Sequence, residues 1–193
     1  PIDIRDSKRF IQSLPKSVGR GRAVDLGAGI GRIAQGLLVP LFNKVDLVEQ
    51  DAKYVNKAKE ILAKETKMSE YHTVGLQDYQ PEPGIYDVMW FQWVLGHLPD
   101  TDLIAMFKRC LKGIKKNGVI VVKENIARGG FVLDKEDMSV TRSETHFREI
   151  FKKAGMRIIK EAWQTKFPRE LFQVKMFALV PVGKPNSIEM STE

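Results

Sequence analysis

The sequence predicts an α/β fold: a seven-stranded, mostly parallel sheet, helices on both faces, and an antiparallel hairpin at the C-terminal end. Three observations carry this. Short β-branched runs alternate with helical patterns, the signature of parallel strands joined by crossover helices. A glycine turn, "GAGIG", directly follows the first of these runs. The last two runs are joined by a proline-bearing turn and pair most simply as a hairpin.

The elements follow in order. "SKRFIQSL" reads as an amphipathic helix near the start, and "RAVDL" (22–26) as the first strand. "RIAQGLLVPLF" is the next helix, then "KVDLVEQ" (44–50) the second strand and "AKYVNKAKEILAKE" a helix. "YHTVGLQ" (71–77) and "YDVMWFQ" (86–92) are strands three and four. A helix follows over "DTDLIAMFKRCLKGI", with Asp100 or Thr101 able to cap its start. "GVIVVKENI" (118–126) is the fifth strand. "ARGGFVLDKEDMSVTRSE" is polar and aperiodic and reads as a long functional loop. "ETHFREIFKKAG" is a helix that Gly155 suits to end, and "MRIIKEAWQ" and "LFQVKMFALVP" form the closing hairpin.

The 193 residues suffice for one α/β domain, taken as 1–181, with 182–193 expected to be a disordered polar tail. The chain opens at Pro1 without an initiator Met and reads as N-terminally truncated. No apolar run reaches the ~20 residues of a membrane helix, and no signal peptide is visible, so the expected setting is intracellular, without a membrane partner. The single cysteine, Cys110, excludes an internal disulfide and a Cys-cluster metal site; it reads as a buried space-filler, and no metal is expected. The net charge of +7 permits an acidic partner, but no dense basic run with interleaved aromatics makes nucleic acid the expected substrate.

The glycine turn selects a cofactor. A dinucleotide loop, G-x-G-x-x-G, uses its third glycine for close helix–strand packing beneath a pyrophosphate. Here Gly27, Gly29 and Gly31 alternate, and Arg32 stands where that third glycine would be. A G-x-G-x-G loop instead passes close beneath the amino acid and adenosine parts of S-adenosylmethionine. Asp25 can accept hydrogen bonds from loop amides or from the cofactor's ammonium, and Arg32 offers a guanidinium to its carboxylate. Glu49, ending the second strand, is placed for the ribose hydroxyls.

No Asn-Pro-Pro-Tyr or Asp-Pro-Pro-Tyr run follows strand four, which argues against methylation of nucleobase amines. The chain instead resembles the eukaryotic protein N-terminal methyltransferases, through "DLGAGIGRI", "LLVPLFNKVDLVE", "GLQDYQPEP", "QWVLGHL", "GVIVVKENIA" and "LDKEDMSVTR". The glycine loop is common to many class I methyltransferases with Rossmann-like folds; "GLQDYQPEP" and "QWVLGHL" are far more specific. The resemblance implies methylation of the α-amine of proteins beginning Xaa-Pro-Lys, in nucleus and cytoplasm, by a monomer or weak dimer. It also implies that Leu76, Gln77 and Gln92 join the cofactor contacts. Asp137 and His97 become the candidate bases, Asn125 a hydrogen-bonding partner of the peptide, and Trp93 a platform for proline two. Asp134 with Asp137 would receive the ammonium of lysine three, with Ser139 orienting their loop.

Each of these has a plainer reading: His97 as a helix-start residue, Trp93 as core, the acidic run as a solvated loop. The global charge and the acidic loop point to opposite partners. Local charge sets short-range recognition, because bulk charge is screened over about 10 Å. Two departures from the family stand out. Its N-terminal helical extension is not in this chain, which is expected to weaken cofactor binding, and Phe172 stands where the family has a tyrosine facing the peptide. Methylation of a small molecule or of RNA, or a non-catalytic adaptor role, are the rival expectations.

Overall fold

The computed structural model describes residues 1–183; residues 184–193, and with them most of the expected disordered tail, lie outside the described residues. Helix α1 (Ile2–Gln12) precedes strands β1 (Arg22–Leu26), β2 (Lys44–Glu49), β3 (Met68–Thr73), β4 (Tyr86–Gln92) and β5 (Ile114–Ile126). A two-stranded hairpin follows, β6 (Phe131–Asp134) and β7 (Ser139–Arg142), and then β8 (Met156–Trp163) and β9 (Gln173–Pro181). The main sheet runs β3-β2-β1-β4-β5-β9-β8. β1 to β5 pair in parallel, and β9 lies antiparallel between β5 and β8. The seven-stranded α/β fold with its antiparallel C-terminal hairpin is the one expected.

Sidedness follows from the two-residue period of a strand. Along β4, Met89 and Phe91 enter one apolar layer, and Val88 and Trp90 enter the other. The first layer is covered by α4 (Asp100–Leu111) and α5 (Glu144–Lys153), where Phe151 meets Phe177 edge-on with ring centroids 5.3 Å apart. The second is covered by α1, by a helical segment after β1, and by α3 (Ala52–Ile61) through Ala58. Every residue of β4 is buried, as expected for a central parallel strand. Cys110 is a buried filler in the first layer, its thiol pushed up to about 12 by burial.

Four local readings are corrected. The helix expected after β1 is a π-helical segment, Ala34–Leu38, running into the short α2 (Val39–Leu41), where Pro40 curtails regular helix. β3 begins at Met68 rather than at residue 71; it is an edge strand whose mixed burial gives no apolar alternation to mark its start. α4 is entered from Pro99 with no side-chain cap, because the Asp100 carboxylate is drawn to Arg142 at 2.9 Å and His146 at 2.6 Å. The stretch 127–144 is not an irregular loop: it carries the β6–β7 hairpin, paired from Phe131↔Arg142 to Asp134↔Ser139. By contrast, α5 carries a side-chain cap at Ser143, and Gly155 (φ +77°) turns the chain after it.

The sheet order reverses beside β1, whose neighbours are β2 and β4. That is where open α/β sheets leave a crevice at the carboxyl ends of their strands. The glycine turn, Glu49, and the residues following β4 and β5 all emerge there.

Candidate active site

The site has two halves. The first is the glycine turn after β1. Gly27, Gly29 and Gly31 all take positive φ (+73°, +57° and +90°), the left-handed region that glycine enters without penalty. The amides of Gly27 and Ala28 both donate to the Val48 carbonyl, at 2.9 and 3.0 Å, so the turn is tied to the end of β2. Glu49 Oε1 accepts from the Gly29 amide at 3.0 Å, and its Oε2 from the Asp51 amide at 2.7 Å. A Cβ on Gly27 would strike Val94, and one on Gly31 would strike Leu62; one on Gly29 would meet nothing within 4 Å. The turn is therefore packed on both sides and open at its middle, where it faces Glu49. Room above the central glycine beside a strand-end carboxylate fits the ribose of S-adenosylmethionine.

The other expected cofactor residues are Asp25, Arg32, Gln92, Leu76 and Gln77. Asp25 is buried and accepts from the Ala34 amide at 3.1 Å. Burial pushes its carboxyl up to about 7, against that amide and the charge of Arg32. Arg32 Nη2 reaches Asp3 of α1 at 3.0 Å, and its guanidinium lies 5.9 Å from the centre of the Trp93 ring. Gln92 is buried, taking the Trp90 indole N–H at 3.0 Å and donating to the same Asp3 carboxylate at 3.2 Å. The carbonyls of Leu76 and Gln77 are both held by Arg109, each at 2.9 Å; Leu76 is buried and Gln77 exposed.

The second half is an open cleft of about 500 Å³ beyond the ends of β4 and β5. Trp93, His97, Asn125, Asp137, Ser139 and Phe172 all line it, so six of the expected catalytic and peptide-facing residues meet in one place. Asp134 is placed differently. Its Oδ1 accepts from the amides of Glu136 and Asp137 at 3.0 and 3.3 Å, across the hairpin tip, and it is not among the cleft-lining residues. Asp137 takes the Ser139 hydroxyl, and Trp93 donates its indole N–H to Asn125 Oδ1 at 3.0 Å.

Among the described residues, three non-glycine positions have positive φ: Trp93 (+52°), Met138 (+56°) and Lys166 (+59°). Trp93 lines the cleft, Met138 lies between Asp137 and Ser139, and Lys166 precedes the lining residue Phe167. Such conformations cost on the order of 1–3 kcal/mol each and gather where a site needs its side chains aimed.

Several residues that shape the cleft carried no sequence signal strong enough to single them out. Glu124, buried beside Asn125, accepts from the amides of Val94 and Leu95 at 2.8 and 3.0 Å and shapes the turn that carries His97. Burial pushes its carboxyl up to about 7 against those two amides. Arg142 is buried and donates to the carbonyls of Leu95 and Leu98 at 3.0 and 2.6 Å, locking the same turn from β7. A Cβ on Gly96 would lie 2.7 Å from the Val140 carbonyl, so turn and hairpin touch backbone to backbone. Phe167 stacks on Trp93, with centroids 6.3 Å apart and planes at 27°.

Away from the cleft, Asp46, Glu70 and His72 could share a cation by distance. The Asp46 carboxylate, however, already accepts from Arg22 twice, the Tyr86 hydroxyl and the Glu70 amide, which makes the group a strut between β1, β2, β3 and β4.

A model of the AdoMet dependent proline di-methyltransferase family matches residues 1–180. The chain is 45% identical over 191 residues to Alpha N-terminal protein methyltransferase 1 of Oryza sativa subsp. indica, covering 93% of this chain and 62% of the rice protein. It is 44% identical over 183 residues to N-terminal Xaa-Pro-Lys N-methyltransferase 1 of Mus musculus, covering 92% of this chain and 82% of the mouse protein. A solved SAM-dependent methyltransferase from Leishmania major superposes with a TM-score of 0.89 at 39% identity, over 92% of this chain and 71% of that one. The chain thus spans about three fifths of the rice relative's length and four fifths of the mouse relative's.

Proposed function

The chain belongs to the AdoMet-dependent proline di-methyltransferase family, and on that footing we propose that it methylates the α-amino nitrogen of polypeptides beginning Xaa-Pro-Lys. The observation that carries this reading is the joining of an acid, a hydrogen-bonding amide and an aromatic face in one cleft: Asp137, Asn125 and Trp93. S-Adenosylmethionine supplies an electrophilic methyl group when bound. Glu49, the open middle of the glycine turn, Arg32 and Asp25 are the groups that would hold it.

The chain's own task is to present a neutral, aligned amine. A free α-amine has a pKa of about 7.7–8.0, so near neutral pH it carries a proton that must leave. Enclosure in the cleft lowers that value, because burial disfavours the ammonium. Asp137 or His97, at the cleft wall, takes the proton directly or through one water. Trp93, stacked with Phe167, offers a flat face to the ring of proline two, and Asn125 fixes the backbone beside it. With the amine aligned, positioning supplies most of the rate. The hairpin acids near the tip, Asp134 and Asp137, give a lysine at position three a local negative field despite the chain's net charge of +7.

The test uses this chain, methyl-labelled S-adenosylmethionine, a peptide beginning Ser-Pro-Lys, and the same peptide acetylated at its N-terminus. Mass gain on the free peptide alone supports α-amine methylation. Gain on both moves the target to a side chain, and gain on neither, with cofactor binding verified by titration, overturns the reading.

A further inference from the structure

Lysine is rarely buried without a purpose, and Lys123 of β5 is completely buried in the middle of the sheet. Its ammonium has three N–H donors, and all three have acceptors: the Asp3 carbonyl at 2.9 Å, the Ser7 hydroxyl at 2.8 Å and Gln164 Oε1 at 2.7 Å. Two acceptors belong to α1. The third opens the segment between β8 and β9.

α1 is built for this contact. Asp3, Asp6 and Ser7, at i, i+3 and i+4, fall on one face and are buried, although they are polar; Phe10 and Ile11 continue that face as ordinary core. The two carboxylates reach in different directions. Asp3 accepts from Arg32 of the glycine turn and from Gln92 at the end of β4. Asp6 Oδ2 accepts from the Gln164 side chain at 3.0 Å and from the amide and hydroxyl of Thr165 at 2.8 and 2.7 Å. Thr165 leads directly into Phe167, Leu171 and Phe172, the apolar wall of the cleft. The backbone of Lys123 also takes part, its carbonyl accepting the amide of the strained Trp93 at 3.1 Å.

We propose that Lys123 is a positioning residue that couples the cofactor half of the site to the peptide-facing wall through α1. A ligand carboxylate that engages Arg32 changes the load on Asp3. Asp3 and Ser7 share one ammonium with Gln164, so the change is passed to segment 164–172 without any contact between the two ligands. Desolvation lowers the ammonium's pKa to about 8, against the pull of Asp3 and Asp6, and it still carries its charge at neutral pH. A neutral side chain of similar volume would fill the space and lose the link. The inference rests on the proposed methyl transfer only for the identity of the two ligands.

The experiment is hydrogen–deuterium exchange on the chain with and without saturating S-adenosylhomocysteine, in wild type, Lys123→Met and Gln164→Ala. In wild type, ligand is expected to slow exchange in 164–172 at least fivefold. In both variants that slowing is expected to shrink below twofold, while the glycine turn stays protected, which reports that ligand is bound. Persistence of the full slowing in the variants, or its absence in wild type, overturns the coupling. If Lys123→Met fails to fold, Gln164→Ala decides, because it leaves both bonds from the Lys123 ammonium to α1 in place, and the Thr165 bonds to Asp6 as well. Steady-state kinetics give a second readout: KM for a Ser-Pro-Lys peptide is expected to rise about tenfold in Gln164→Ala with kcat within threefold, whereas a general loss of folded enzyme would lower kcat alone. A wild-type exchange response without methylation of any peptide would sink the methyl-transfer reading and leave the coupling standing.

Discussion

Trp93 donates its indole N–H to Asn125 Oδ1 at 3.0 Å, across the ends of β4 and β5. An indole can only donate, so the bond fixes which end of the Asn125 amide it occupies: the oxygen faces Trp93, and the NH₂ group is what remains for a substrate. Under the proposed function, Asn125 would thereby act as a donor toward a peptide carbonyl. Asn125→Asp keeps an acceptor for Trp93 and removes both donors; kcat/KM for an Xaa-Pro-Lys peptide is expected to fall 10- to 100-fold, about 1.5–3 kcal/mol, with cofactor affinity within twofold. Trp93→Phe keeps an aromatic face and releases the amide to rotate, for an expected loss of three- to tenfold. Peptide kinetics beside cofactor titration check both, and a drop in cofactor affinity as large as the kinetic loss would refute the assignment.

The two hairpin acids separate in the same way. Asp137 lines the cleft and takes the Ser139 hydroxyl, whereas one Asp134 oxygen is committed to the amides of Glu136 and Asp137. Asp137→Asn removes a proton acceptor at the cleft wall and is expected to lower kcat at least 100-fold. Asp134→Asn keeps an oxygen for the tip amides and removes only a distant charge, so it should raise KM for a lysine-three peptide a few-fold, less at high salt, with kcat unchanged. Measuring kcat and KM separately at two ionic strengths distinguishes these; equal losses of kcat in the two variants would show that the acids act as a pair.

How far the sequence could anticipate this depends on the range of each interaction. Strands β1 and β4 were legible to the residue, because buried parallel strands are near-continuous apolar runs. The glycine turn with Glu49 was legible because a G-x-G-x-G spacing and a strand-end acid are both short-range signals. The β6–β7 hairpin was not, because Phe131, Val132 and Leu133 are all exposed and show no alternation. The offset of Asp134 from the cleft was hidden for a related reason, since it depends on how the tip folds back on itself. Arg142 sat inside a recognised block, yet its grip on the carbonyls of Leu95 and Leu98 joins positions 47 and 44 residues apart. The bond from Lys123 to the Asp3 carbonyl spans 120 residues, and nothing local marks either end except polar groups on a core face.

Two buried carboxyls give the chain a distinctive stability profile. Burial raises Asp25 and Glu124 to about 7 in the folded state, against the ordinary carboxylate range near 4. Between those values the folded chain binds more protons than the unfolded one. Their contribution is therefore complete below about pH 4 and is lost as pH rises through 7, on the order of a few kcal/mol for the pair. Asp100, Glu144 and Glu161 are held low by their basic partners, so their opposing contribution is lost only as pH falls below the ordinary carboxylate range. Urea unfolding at pH 5, 6, 7 and 8 should show stability falling from pH 5 to 7 and levelling off by pH 8, where Lys123, lowered to about 8, acts in the opposite sense. Glu124→Gln, which keeps an oxygen for the Val94 and Leu95 amides, should reduce that fall by about half. A wild-type profile that is flat or rises would reject the assignment.

The glycine turn permits the sharpest separation of fold from ligand. Gly29 and Gly27 have similar backbone angles, φ +57° and +73°, so an alanine at either position carries a similar conformational strain, roughly 1 kcal/mol. Their surroundings differ. A Cβ at Gly27 would lie 2.3 Å from a Val94 methyl, in packed protein, while one at Gly29 would enter open space beside Glu49. Gly27→Ala must push Val94 and the turn it begins, and is expected to lower Tm by several degrees and to disturb both halves of the site. Gly29→Ala should leave Tm within about 3 °C of wild type, because one side of the new methyl meets no protein. If that space is where the cofactor's ribose rests on the turn, the same variant must lose at least tenfold in S-adenosylhomocysteine affinity by calorimetry. A stable Gly29→Ala chain that binds S-adenosylhomocysteine as wild type does would put the ribose somewhere else, and Glu49 would then be no more than the clasp that holds the turn to β2.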